Sequence, residues 1–206
     1  MAREYRFEAA TLPPAFQGFR FNGGALPLHL VETVHAWQGR CIDRIDGADA
    51  WNRWLVASGN VAPADDASGE DLGEMRRLRE AIYLVAGALS QGRQAPLPSI
   101  AVINDVASRS LPTARIVPGA NAALVASIGE ITHGDLLTRI AREAVDLFTG
   151  ALAGRIRRCA EEGCPAIFVD RSRSGSRVWC SSACGARIAA RSYRRRRSEQ
   201  RTSALS

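Results

Sequence analysis

The 206-residue chain has 46% hydrophobic and 23% charged side chains, the proportions of an ordinary globular protein and not of a disordered, collagenous or coiled-coil one. No run approaches the roughly 18 apolar residues a membrane span needs, and the opening MAREYRFEAATLPP lacks the apolar stretch of a signal peptide. The expectation is a cytoplasmic protein of one or two domains with no membrane partner. Its net charge of +6 is unevenly placed: all 27 basic residues are Arg, and 13 of them lie from Arg155 onward against four acids, so that segment is +9 and the rest −3. A mildly acidic body with a basic C-terminal quarter points to a polyanionic partner; the alternative is a solvated basic tail.

The body, residues 1–154, reads as mainly helical. After FNGGALP, the segment Leu28–Trp37 places Leu30, Val31, Val34 and Trp37 at helical spacing. Trp51, Trp54 and Leu55 suggest a second helix that stops at Gly59-Asn60. The clearest helix follows Ser68, a candidate N-cap with acids in the first turn and Leu72, Met75, Leu78, Ile82, Val85 and Leu89 along one face. IAVINDVA, TARIVPG and AALVASIG then read as short strands of a small β element. Thr132 to Asp135 resembles a capping box, opening a helix expected to run to about Gly154.

Residues 155–206 hold Cys159, Cys164, Cys180 and Cys184, whereas Cys41 stands alone in the body. The pattern C-x4-C, fifteen residues, C-x3-C suits one tetrahedral Zn²⁺, because each short loop turns two thiolates toward a point and the insert is long enough for a hairpin. Two disulfides or four unrelated buried thiols are the alternatives; a reducing compartment disfavours the first. No ligand position is left for water, so the ion is structural. PAIFVD and RVWC read as the two hairpin strands, with Phe168 and Trp179 as a tiny core and Ser181 or Ser182 capping a last helix. Arg157, Arg158 and Arg177 could offset the thiolate charge. Arg187, Arg191, Arg194 and Arg195 recur at three- and four-residue spacing on that helix, with Arg171, Arg173 and Arg177 in and beside the hairpin tip. Such a set can neutralise phosphates and read guanine edges. The whole is an α+β chain: a helical domain with a small β element, then a small treble-clef-like finger of β-hairpin and helix.

The module resembles the CGNR-type zinc finger of bacterial proteins. The match runs through the first cysteine pair, the core from Phe168 through Asp170, Ser172, Arg173, Ser174, Gly175, Arg177 and Trp179 to Cys180, and the signature Cys184-Gly185-Ala186-Arg187, with Ala186 where the family has Asn. The body resembles the ABATE domain that accompanies this finger. Its G-G-x-L-x-L-D-x-V-N-T motif stands here as Gly23 to Thr33, with His29 for Asp and Glu32 for Asn. The resemblance implies a stress-induced transcriptional regulator whose zinc finger binds DNA.

His29, Glu32 and His35 invite a metal reading, but two His six residues apart on a helix lie about 120° apart, unlike the i, i+4 pair of H-E-x-x-H. His29 and Glu32 are instead candidates for the polar lining of an effector pocket, or plain surface and core polar residues. His133 reads as a helix-start residue. The chain has no P-loop, dinucleotide fingerprint or nucleophile elbow. A non-enzymatic DNA-binding regulator is therefore expected, its body sensing a small molecule or forming a homodimer. An RNA- or ribosome-associated module and an enzyme in the body are the alternatives.

Overall fold

The computed structural model describes residues 7–8, 18–35, 37, 41–127 and 129–203. Cys41 lies in a described strand, but its side chain falls outside the description. In chain order the elements are β1 (Phe7–Glu8), α1 (Leu26–Val31), β2 (Val34–His35), β3 (Cys41–Asp43), α2 (Ala48–Ala57), α3 (Gly69–Leu89), α4 (Leu97–Ala107), β4 (Arg115–Pro118), β5 (Leu124–Ser127), α5 (His133–Thr149), β6 (Ile156–Arg158), β7 (Ile167–Val169) and α6 (Ser182–Ser203). The strands form three small sheets, in the orders β1-β3-β2, β4-β5 and β6-β7. The chain is α+β.

Two capping boxes start the long helices. Ser68 Oγ accepts from Asp71 N while the Asp71 carboxylate accepts from Ser68 N, and Thr132 and Asp135 repeat the exchange. Each satisfies backbone donors that a helix start leaves open. Between them α4 corrects the sequence reading: IAVINDVA is helix, not strand. Pro98 in its first turn suits a helix start, and Ile103 and Val106 are buried as α4 packs against α3 and α5. Tertiary burial outweighs the weak strand preference of its β-branched residues. TARIVPG and AALVASIG do pair, as the antiparallel β4-β5 hairpin with Ile116 opposite Ala126 and Pro118 opposite Leu124.

The first helix is also shorter than its periodicity suggests. α1 ends at Val31; Thr33 Oγ1 donates to Leu30 O at 2.6 Å, and the chain turns into β2, antiparallel to β3. Val34 and Trp37 are buried from this extended segment, and Trp37 stacks on Tyr83 of α3 at 4.2 Å. Beneath the turn, Arg79 is fully buried; it reaches both carboxylate oxygens of Asp43 and donates to Thr33 Oγ1 at 2.8 Å. α5 ends at Thr149, earlier than Gly154, and a 3-10 turn over Ala153–Arg155 leads into β6.

The hairpin after that turn is the second correction. β7 pairs antiparallel with β6, Ile156 opposite Val169 and Arg158 opposite Ile167, and RVWC forms no strand among the described residues. Ile156, Ile167 and Val169 join the main hydrophobic core, whereas Phe168 points to the cysteines. Strand alternation explains the split: neighbouring side chains face opposite sides. The hairpin thus has one face in the body and the other under the cysteine cluster.

Candidate functional site

The four cysteines converge from three places. Cys159 follows β6, Cys164 ends a turn in which Gly163 holds φ +78°, and Cys180 and Cys184 flank the start of α6. Their sulfurs all lie within 4.8 Å of one another. Cys164 and Cys180 are 3.8 Å apart, Cys180 and Cys184 3.5 Å, and Cys184 and Cys164 3.8 Å. A zinc tetrahedron with 2.3 Å bonds has edges of about 3.8 Å, so the donor set fits one structural Zn²⁺ and these cysteines hold it. Without the cation the four thiols compete for charge. A hydrogen bond with Cys164 and burial push Cys180 up, while hydrogen bonding to Cys180 first among its causes brings Cys164 down to about 5. A divalent ion resolves that conflict and displaces the protons.

The supporting contacts account for the sequence core around the second pair. Asp170 is fully buried and accepts from Ser172 N at 2.9 Å, Ser172 Oγ at 2.6 Å and Arg177 N at 2.8 Å. Arg177 lies over the Phe168 ring at 5.0 Å and donates to the carbonyls of Trp179 and Cys180. Trp179 does not join Phe168 in a sealed core: it is 37% exposed and lies against Gly185, where a Cβ would meet its ring at 3.1 Å. The glycine of the C-G-x-R signature therefore admits the indole. Ser181 Oγ accepts from Cys184 N at 3.3 Å, as an N-cap does.

The arginines divide by role. Arg187 donates to Cys184 Sγ at 2.8 Å and pairs with Glu161; Arg191 pairs with Glu161 and, at 3.1 Å, with Glu162. These two bind the last helix to the first ligand turn. Arg171 Nε donates to Gly24 O at 2.7 Å. Arg158 lies over Tyr83 at 5.7 Å and Arg157 donates to Gly154 O at 2.7 Å, so Arg187, not these two, neutralises a ligand sulfur. Arg173, Arg194 and Arg195 are exposed, as are Arg196 and Arg197 beyond them. α6 keeps Cys184 buried and Ile188 and Ser192 half-buried, and from Tyr193 onward its described side chains are exposed. At 1.5 Å per residue, 22 residues make a rod of about 33 Å.

His29 and Glu32 both fasten the loop before α1. Glu32 Oε2 accepts from Asn22 N at 2.8 Å and Gly23 N at 2.9 Å, and His29 Nε2 accepts from Gly24 N at 3.2 Å. Burial, then the Arg171 charge, lowers the His29 pKa; burial raises Glu32 to about 7 against those two amide bonds. The loop in turn receives the finger, with Val169 N donating to Gly23 O at 2.9 Å. Glu32, but not His29, also borders a cavity of about 350 Å³ between body and finger. Arg20, Trp37 and Arg44 line it too; they come from three separate stretches that no sequence spacing links. The four cysteines are the one cluster with metal-ligand geometry among the described residues, and His29 and His35 form none. His133 is buried, accepting from Trp51 Nε1 at 3.0 Å and placing Nε2 2.9 Å from Asp65 O.

Two family models match the chain. One, ABATE, is described as "Putative stress-induced transcription regulator" and covers residues 24–151; the other, the CGNR zinc finger, covers residues 155–197. No curated protein matches.

Proposed function

We propose, from the premise that the chain belongs to the ABATE family, that it is a DNA-binding transcription regulator whose zinc finger contacts the duplex and whose body senses a small molecule. The observation that carries this reading is α6: a helix anchored at one end by zinc ligands and bearing exposed Arg194 to Arg197 at the other. Four consecutive arginines span about 300° of a helix at 100° per residue, so charge surrounds the rod. A helix polar on all sides gains little from packing, and neighbouring like charges oppose it. A polyanion laid along the rod relieves that repulsion. The B-form major groove, about 12 Å wide, admits one helix with arginines reaching both phosphate walls and guanine edges. Arg173, exposed in the loop before Cys180, adds a further positive charge to the finger. Arg187 and Arg191 fix the angle at which the rod leaves the finger and are not its principal contacts. No catalytic step enters the reading: four thiolates complete the ion's coordination and leave no open position.

Fluorescence anisotropy with genomic duplex fragments tests it. The zinc-loaded chain should bind, with log affinity falling linearly in log salt by about 0.9 per neutralised phosphate. Arg194→Glu with Arg196→Glu should abolish binding while zinc stays stoichiometric. Undiminished affinity in that variant refutes the α6 contact, and tighter binding to a folded RNA than to any duplex replaces DNA with RNA as the partner.

A further inference from the structure

The cavity between body and finger has one wall from each. Val31, Val34, Trp37 and Arg44 belong to the body; the turn Cys164–Ile167 and the start of α6, including Ala183 and Arg187, belong to the finger. Its size, about 350 Å³ with three zinc ligands, Cys164, Cys180 and Cys184, in its wall and so part of the metal site included, is at the lower end of the range of small-molecule sites, about 300–1,000 Å³. Arg44 is only 5% exposed, and its Nη1 donates to Glu32 O at 2.9 Å. Arg20 borders the same space, near enough that its charge, after burial, lowers the Arg44 pKa and also acts on His35. Of the three guanidiniums on the cavity, Arg187 is engaged by Cys184 Sγ and Glu161; the other two, Arg20 and Arg44, on a part-apolar cavity make the arrangement that recognises a carboxylate. The thiolates of the finger wall and Glu32 set the opposing limit, because they repel a second negative charge.

We infer that this cavity binds a small organic monocarboxylic acid, its carboxylate on Arg44 and Arg20 and its apolar body against Val31, Val34 and Ile167. The inference rests on the reading of the body as a sensor and names what it senses. The electrostatics orient the ligand. The acid head faces the body's guanidiniums, and the uncharged end meets the finger wall beside the zinc thiolates. A bound acid touches both the Cys164–Ile167 turn and the first turn of α6, so occupancy is read by the DNA-facing helix through direct contact.

The test uses the full zinc-loaded chain at fixed ionic strength and above pH 7, where Glu32 is ionised, titrated calorimetrically with hexanoate and benzoate and with their amides as uncharged controls. At least one acid should bind one per chain, its amide about tenfold more weakly, as loss of a charge-assisted hydrogen bond predicts. Arg20→Gln, at an exposed position, should weaken the acid. Glu32→Gln, which keeps an oxygen acceptor for the Asn22 and Gly23 amides, should tighten it by about threefold or more. Saturation by neither acid, equal binding of acid and amide, or indifference to both substitutions overturns the inference. These results are independent of DNA. Failure of the acids alongside intact duplex binding sinks only the ligand assignment, and failure of duplex binding alongside acid binding sinks only the regulator.

Discussion

Extraction of zinc should melt the finger in halves. Ile156, Ile167 and Val169 are 1%, 0% and 1% exposed in the body core. Full burial of such side chains contributes about 1.5–3 kcal/mol each, or about 5–9 kcal/mol together. Ordering the backbone of their six strand residues costs about 6–12 kcal/mol; the β6-β7 ladder and the Val169 N to Gly23 O bond add to the favourable side. The two sums nearly balance before those bonds are counted, so the hairpin is expected to survive without metal. α6 has no comparable support: Cys184 is its one buried residue among those described, most helical stability in proteins comes from tertiary packing, and its clustered arginines repel one another. Chelation should leave the β6 and β7 amides protected from hydrogen exchange while those after Gly185 lose protection, and the helical circular dichroism should drop by about a quarter, the share of α6 among the six α-helices. Cys180→Ser should reproduce this pattern. Simultaneous loss of protection in β6, β7 and α6 would refute the reasoning, because it would mean that zinc, not the shared core, holds the hairpin.

Three further outcomes follow from single contacts. His133→Phe removes the acceptor of the buried Trp51 Nε1 and should cost about 1–3 kcal/mol in chemical denaturation; a neutral result would mean that the Trp51 bond contributes nothing. The Glu32 carboxyl, raised from an unfolded value near 4.5 to about 7, keeps its proton in the folded chain over a range where the unfolded chain has released it. Stability from this group is therefore lost as pH rises from about 4.5 to 7, by up to about 3 kcal/mol, and stays lost above. Glu32→Gln should match the parent near pH 4.5 and exceed it above pH 7, and denaturation midpoints of the two chains measured in parallel would expose a constant difference if this is wrong. Gly24 holds φ +76° with the Val169 carbonyl 3.3 Å from where a Cβ would sit. Gly24→Ala should cost about 1–3 kcal/mol, read as a lowered midpoint together with faster exchange at the Val169 amide.

Where a signal is local, the sequence carries it. Ser68 with Asp71 and Thr132 with Asp135 are capping boxes because the whole device fits in four residues. The cysteines announce their ion because thiolate chemistry leaves few other uses for such spacing. Legibility fails where a distant partner decides. IAVINDVA is helical because α3 and α5 lie on either side of it, which no periodicity of its own encodes. Sequence proximity points to RVWC as the partner of β7, although the strand that pairs with it precedes the first cysteine. Arg187 and Arg191 share a face with Arg194 as their spacing says, but Glu161 on the ligand turn claims the first two. His29 and Glu32 read from the sequence as pocket residues; the structure gives both a hand in shaping the Asn22–Gly24 loop and only Glu32 a place on the cavity.

The hairpin with two faces bears on how this protein can be cut and recombined. A fragment starting at Arg155 would carry three greasy side chains with nothing to cover them, and would clump instead of serving as a portable recognition cassette. A chimera that grafts the cationic rod onto a foreign scaffold must bring along the α3 surface and the glycine pair that seats Val169. Gene fusions made at the apparent seam would separate pieces that the fold treats as one.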